Sequence, residues 1–300
     1  MTSRSELIPQ NSAARSGHRT STVSCAIPST HQEIKMHSAI PPPYLQVMPS
    51  HSGLHRAQSG LCHTLSFATL NLAAGQTHSG HTGERECFLL ALSGSAHVTV
   101  NGQPYPCIGQ RPDVFSGTPH GLYFPRGSVY TITACTSFKA ALPSALSDLD
   151  TAPYEVHSTS PGTHRGVLPS ANRWHHQLLG SPESGPTSRL TVIEIHTSRR
   201  PFRAPLPTAD QFMRPDMQLG EQLTYFRFSA KSGRGLARHH SVQHGYDDLY
   251  SLVDHSLLTL PHGECTYSLE PGVGATTLWA FARVPVIPPR RIFKRCQESW

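Results

Sequence analysis

The chain has 300 residues, enough for two modules of ordinary size with a tail, each able to bury a sizeable core. Only 15% of its residues are charged, and its net charge of +6 comes from scattered Lys and Arg with one tight run, Arg290-Arg291-Ile292-Phe293-Lys294-Arg295. That scatter argues against a nucleic-acid binder, which clusters basic residues on one face, and suits a small anionic substrate instead.

The seven cysteines (Cys25, Cys62, Cys87, Cys107, Cys135, Cys265 and Cys296) are odd in number and irregular in spacing, with no C-x-x-C. This reads as buried thiols in a reducing, cytoplasmic setting and not as a disulfide framework. No apolar run approaches the ~20 residues a membrane span needs, so no membrane partner is expected. The 23 glycines and 26 prolines punctuate many short elements.

Residues 1–50 have the composition of a disordered leader, rich in Ser, Thr, Pro, His and Gln, with Pro41-Pro42-Pro43 stiffening its end. Arg4, Arg15 and Arg19 among serines suggest an organelle transit peptide. Against it stand Glu6 and the lack of an amphipathic stripe, and a start at Met36 or Met48 is an equal reading. From residue 53 strand signals begin. Leu65 to Leu72 alternates apolar and polar, Glu86 to Leu92 is a denser apolar run, and Ala96 to Val100 alternates again before Asn101-Gly102. Asn-Gly is a strong hairpin signal, because both central positions of a type I′ turn need positive φ. Val114 to Phe124 and Val129 to Cys135 add further strands.

A second series follows a loop-like joint from Pro143 to Pro161: Leu190 to Ile195, Leu223 to Phe228, Asp248 to Val253, Ser256 to Leu260 and Thr277 to Ala282. Short strands about ten residues apart argue for sandwiches or barrels. The similar layout of the two series suggests internal duplication. The expected organisation is a leader at 1–50, one barrel over 53–150 and a second over 160–300.

Several motifs resemble the bacterial 5-deoxy-glucuronate isomerases of myo-inositol catabolism. They are Thr82-Gly83-Glu84-Arg85-Glu86, Leu90 to Ala96, Ile108 to Phe115 and Leu122-Tyr123-Phe124-Pro125-Arg126-Gly127-Ser128 in the first module. Thinner matches follow at His164-Arg165-Gly166, Asn172 to His175, Tyr225-Phe226-Arg227-Phe228, Leu260-Pro261-His262-Gly263 and Trp300. The resemblance implies an all-β bicupin of two tandem jelly-roll barrels. It implies an aldose–ketose isomerisation of 5-deoxy-D-glucuronate to 2-deoxy-5-keto-D-gluconate, and a divalent metal in the second barrel.

The family's ligand pattern is His-x-His-Asp, then a Glu opening an aromatic strand, then a His after a Pro-x-Gly turn. Threaded here, those positions fall on Pro207, Ala209, Gln222 and Cys265. Pro and Ala cannot coordinate, Gln is a weak neutral ligand, and one Cys is not a site. The metal the family implies is therefore expected to be absent or weakly bound. Glu221 could substitute for Gln222 only through a bulge, since a one-residue slip reverses the face of a strand. His239-His240-Ser241-Val242-Gln243-His244 is the densest histidine cluster; it reads as strand or loop, and its histidines are expected to be solvated, with a substitute metal site as the alternative.

The candidate bases are Glu221 and Glu264, and the candidate substrate contacts are Tyr225, Arg227 and Tyr250. Glu84-Arg85-Glu86 is expected as structural ion pairing. Two readings stand at this point: an isomerase of a small sugar acid, with a homo-oligomer as its assembled form, and a catalytically inactive bicupin that keeps a sugar-acid-binding or scaffold role.

Overall fold

The computed structural model describes residues 44–58, 61–157, 165–167, 175–180, 189–197, 203–205, 217–241 and 245–285. All regular elements among them are strands. The first, β1 (Leu45–Val47), is followed by β2 (Gly53–Arg56), β3 (Leu65–Leu72), β4 (Thr77–His81) and β5 (Arg85–Ser93). Then come β6 (Ser95–Val100), β7 (Gln103–Gly109), β8 (Gly121–Phe124), β9 (Val129–Ala134), β10 (Phe138–Leu146) and β11 (Tyr154–Val156). The second series is β12 (Arg165–Val167), β13 (His175–Gly180), β14 (Leu190–Thr197), β15 (Arg203–Pro205), β16 (Met217–Phe228), β17 (Gly235–Ser241), β18 (Tyr246–Leu252), β19 (Ser256–Leu260), β20 (Glu264–Leu269) and β21 (Ala275–Pro285).

Four antiparallel sheets result. The first barrel pairs a six-stranded sheet, β11-β8-β5-β10-β3-β2, with a four-stranded one, β4-β9-β6-β7. The second pairs β1-β19-β16-β21-β14-β13-β12 with β15-β20-β17-β18. The orders superpose element for element: β8-β5-β10-β3-β2 corresponds to β19-β16-β21-β14-β13, and β4-β9-β6-β7 to β15-β20-β17-β18. The duplication suggested by the sequence is a duplication of topology.

Local chemistry explains the turns. Asn101 and Gly102 both take positive φ, 51° and 82°, between β6 and β7, as a type I′ hairpin demands. The β8–β9 and β19–β20 turns repeat one sequence pattern, Phe124-Pro125-Arg126-Gly127 and Leu260-Pro261-His262-Gly263, with each glycine in the left-handed region.

Three cores form. Leu70, Leu89, Val98, Ile132 and Phe138 fill the first barrel, and Ile193, Phe226, Leu258, Trp279 and Phe281 fill the second. The third core lies between the barrels, where the two large sheets pack face to face. Phe67, Phe88 and Leu90 from one meet Val192, Leu223, Tyr225 and Leu278 from the other. Both faces of each large sheet are thus buried, which is why β5 and β14 read as nearly continuous apolar runs.

Two of the expected boundaries are corrected. Leu45–Val47, placed in the leader, forms an edge strand of the second barrel through pairing with β19, and Met48 enters the inter-barrel core. The joint expected from Pro143 to Pro161 contains strand: Pro143 lies within β10, opposite Phe67 of β3, and β11 extends the first barrel's large sheet past residue 150. Residues 1–43 of the expected leader, with Arg4, Arg15 and Arg19, lie outside the described residues.

Candidate functional site

The interior of the second barrel is built by alternation on β16, β17, β18 and β20. On β16, Thr224, Phe226 and Phe228 point into the barrel, while Leu223 and Tyr225 point to the other face. Gln222 is buried at the start of this strand and its Nε2 donates to the Gly263 carbonyl at 2.8 Å. On β17, His239 is fully buried and its Nε2 lies 2.8 Å from the His262 carbonyl. The two side chains therefore converge on one turn, His262-Gly263, between β19 and β20.

Cys265 is the register partner of His239 across β17 and β20. Tyr250 of β18 packs in the same core, with its ring centroid 6.5 Å from that of His239 and its hydroxyl 3.3 Å from Asp248 Oδ2. Tyr44, just before β1, sets its ring edge-on to His239 at 5.3 Å.

The electrostatics of this end are those of neutral groups. Burial pushes the Cys265 thiol up to about 12, so it is a thiol and not a thiolate near neutral pH. Burial likewise lowers His239 below the usual imidazole range, despite opposing contributions from the His262 carbonyl and Asp248. A neutral His239 that donates from Nε2 carries its basic lone pair on Nδ1.

The residues threaded onto the family's metal ligands do not fit a metal. Gln222 spends its amide on Gly263, and Cys265 is protonated. Pro207 and Ala209 lie outside the described residues, and neither side chain carries a ligand atom.

The other candidates scatter. Glu221 does sit at an irregularity of β16, between Leu219 and Gln222, as a ligand role would require. Its carboxylate nevertheless leaves the barrel and accepts backbone N–H groups from Thr64 and Leu65, both at 2.7 Å, and from His63. Glu221 is a joint to the first barrel, not a base.

Tyr225 is also on the outer face. It packs on Phe67 at 5.2 Å, and its hydroxyl lies 2.7 Å from His255 Nδ1. Arg227 shares that face and donates from Nε to Asp254 Oδ1 at 2.9 Å. Tyr225 and Arg227 are thus not barrel-lining residues. Of the expected substrate contacts, Tyr250 alone lies in the barrel core. Glu264 lies on β20 opposite His240, and its side chain lies outside the described structure.

The sequence reading missed three features. His239, expected to be solvated on a strand or loop, is buried on a strand inside the barrel. Glu194 of β14 and Arg111 of the first barrel form a buried bidentate pair at 2.7 and 2.8 Å. Finally, the group of metal-ligating side chains among the described residues is in the first barrel, not the second: His120, Glu155 and His157.

Two jelly-roll barrels in one chain, each closed by a large and a small antiparallel sheet, define a bicupin. The KduI/IolB family model matches residues 51–294, and the chain belongs to that family. A curated relative from Halalkalibacterium halodurans, named 5-deoxy-glucuronate isomerase, is 25% identical over 233 residues, which are 74% of this chain and 86% of the relative. The solved IolB-like protein of Salmonella typhimurium LT2 superposes with a TM-score of 0.71 at 21% identity, covering 80% of this chain and 92% of that one. Oxalate decarboxylase from Bacillus subtilis shares the fold at 11% identity and a TM-score of 0.54, over 83% of this chain and 81% of its own.

Proposed function

We propose that the chain acts on 5-deoxy-D-glucuronate or a sugar acid of the same class, converting an aldose to a ketose as a cytoplasmic protein with no nucleic-acid or membrane partner. The observation that supports this is membership of the KduI/IolB family over residues 51–294, with relatives named for that isomerase. An aldose–ketose step moves a proton between adjacent carbons and needs a group that takes it from one and returns it to the other. The His239 imidazole, held neutral by burial and fixed by the His262 carbonyl, is the base of this reading. Tyr250 shares that core, and its hydroxyl donates to Asp248. No step passes through a metal in the second barrel, because Gln222 and Cys265 do not supply one.

A specific observation favours a second reading, a catalytically inactive bicupin that binds a sugar acid. On the threading implied by the family resemblance, the Gln222 amide, bonded to Gly263, and the neutral Cys265 thiol take the places of ionised or imidazole ligands. One experiment separates the two: turnover of 5-deoxy-D-glucuronate by the full chain, alone and with Mn²⁺, Zn²⁺ or Fe²⁺, beside calorimetric binding of the same compound. Turnover that falls by about 10²–10⁴-fold in His239→Ala carries the first reading. Saturable binding without turnover carries the second, and neither binding nor turnover removes both.

A further inference from the structure

We propose that His120, Glu155 and His157 form a binding site for a zinc-type divalent cation at the edge of the first barrel, separate from the second barrel's interior and independent of the sugar-acid reading.

The strands bring the three side chains together. β11 pairs antiparallel with β8 in the register Tyr154↔Tyr123, Glu155↔Leu122 and Val156↔Gly121. One step further along that register sets His157 opposite His120. Tyr154 and Val156 belong to the inter-barrel core, so alternation turns Glu155 to the other face of the sheet. There Glu155 Oε1 lies 2.6 Å from His120 Nε2 and 3.2 Å from His157 Nε2. The two imidazoles pack with their centroids 4.3 Å apart and their planes tilted by 33°. One donor atom from each of the three residues falls within 4.8 Å of the others.

The donor chemistry narrows the ion to a first-row divalent metal of the zinc or iron type. Two imidazole nitrogens and one carboxylate oxygen are a nitrogen–oxygen set that suits zinc, and three protein ligands with an open position is the pattern of reactive rather than purely structural zinc sites. The supports around the ligands are in place. His120 Nδ1 lies 3.0 Å from the Gly109 N–H and 3.2 Å from the Gly109 carbonyl. When Nε2 donates to Glu155, Nδ1 accepts from the amide. When Nε2 binds a cation, Nδ1 carries the proton and donates to the carbonyl, the outer-shell contact that metal-bound histidines make.

Gly109 itself cannot be replaced. Its φ is 110°, and a Cβ there would lie 2.2 Å from the Gly94 carbonyl oxygen. The backbone that orients His120 is therefore fixed by packing. His120 is only 11% exposed and Glu155 28%, whereas His157 is 48% exposed, so two ligands are preset and the third closes from the rim.

The open position faces a cleft of about 530 Å³ whose lining includes Gly109, Gln110, Thr118, His120 and His157. Arg111, also in that lining, is committed to Glu194. The fourth ligand is therefore a water or the oxygen of a small anionic molecule held in the cleft.

The test is a competition titration of the full chain with Zn²⁺ against a chromophoric chelator, with Co²⁺ absorption as the second readout. The variants are Glu155→Gln, His120→Ala and His157→Ala, with His97→Ala, an exposed residue of β6, as the control. The wild type and the His97 variant are expected to take up one equivalent tightly, with a visible Co²⁺ band of low-symmetry coordination. Each ligand variant should bind that equivalent more weakly by more than the roughly 10–100-fold cost of losing an outer-shell partner. Glu155→Gln keeps shape and strand pairing, so a loss of binding in that variant is not a loss of fold. The proposal is overturned by a wild type without a tight equivalent, or by a Glu155→Gln chain that binds as tightly as the wild type. Because the readout is metal uptake, its failure leaves the sugar-acid reading untouched.

Discussion

Glu86 and Glu221 occupy the same position in the two barrels, and each caps the head of a matching strand, β14 or β3, in the other one. Cys87 pairs with Phe124 and Gln222 with Leu260, at the starts of the two matching Pro-x-Gly turns, so the residues just before them correspond. Glu86 accepts from the Arg189 and Leu190 amides at the head of β14, and from the Tyr123 hydroxyl at 2.7 Å. Glu221 accepts from Thr64 and Leu65 at the head of β3. These are donors that a strand end would otherwise leave without partners inside the junction.

It follows that Glu86→Ala destabilises more than Glu221→Ala. Glu86 is fully buried, and its loss leaves two amides without their acceptor, at ~1–3 kcal/mol each, and the Tyr123 hydroxyl with Thr151 at 3.2 Å. We expect a loss of about 3 kcal/mol or more for Glu86→Ala and about 2 kcal/mol for Glu221→Ala, whose groups keep access to water. Urea unfolding midpoints measure both. A Glu86 variant within the ~0.5 kcal/mol of an ordinary surface change would show that the cap contributes nothing.

The Arg111–Glu194 pair predicts a pH dependence. Burial alone would raise the Glu194 carboxyl, but the Arg111 guanidinium, with a smaller contribution from His196, outweighs it and holds the group at about 2. A carboxyl lowered on folding contributes stability that is fully present above its unfolded value, near 4.5, and is lost as pH falls toward its folded value. Stability should therefore drop between those limits. Glu194→Gln should cost about 3–5 kcal/mol at neutral pH, because it leaves the Arg111 charge buried and unpaired. Arg111→Met with Glu194→Met should recover most of that loss and flatten the acid limb. Chemical denaturation of the three proteins across the acid range checks both statements.

How much of this was legible in the sequence follows from what each strand buries. β3, β6, β14, β19 and β21 announce themselves by apolar residues in period 2 or in continuous runs. β17 does not, because its pattern is inverted. Leu236 is 45% exposed, while Gly235, Ala237, His239 and Ser241 face the core. The large rings of Phe226, Phe228 and Trp279 already occupy that core and leave room for small residues and one imidazole. His239 was therefore invisible as an interior residue.

Glu221 failed for a different reason. The irregularity it needed exists, yet the neighbouring barrel supplies the better partners. No pattern within one strand reports on a surface contributed by residues about 150 positions away. The same holds for the His120, Glu155 and His157 cluster, whose members are separated by 35 and 2 positions (155 − 120 and 157 − 155) and meet only through β8–β11 pairing.

The thiols offer a chemical check on the second barrel. Cys107 and Cys135 are exposed, while Cys87 and Cys265 are buried, with burial pushing both thiols up to about 12. A maleimide or aromatic disulfide reagent at mildly alkaline pH should label Cys107 and Cys135 in the native chain, and reach Cys87 and Cys265 only after denaturation. Mass spectrometry of timed digests gives the order. Early labelling of Cys265 would mean an accessible, ionised thiol and would reopen it as a metal ligand.

The segment before the first barrel makes the strongest prediction about boundaries. β1 pairs residue for residue with β19, Leu45 with Leu258 through Val47 with Ser256, and so covers what would be the open edge of the second barrel. Tyr44 lies on His239, and Met48 is nearly fully buried between the barrels. β11 does the same for β8 in the first barrel. A chain trimmed to begin at residue 53 loses all three contacts at once. It should unfold at a lower temperature than one beginning at residue 41, and self-associate through the bared β19 edge, measured as light scattering that grows with concentration. Met48→Ala in the full chain removes the core contact alone and should cost about 2–5 kcal/mol. Identical melting of the two trimmed chains would show that the edge needs no strand. A melting loss without association would assign the segment to the core and not to the edge.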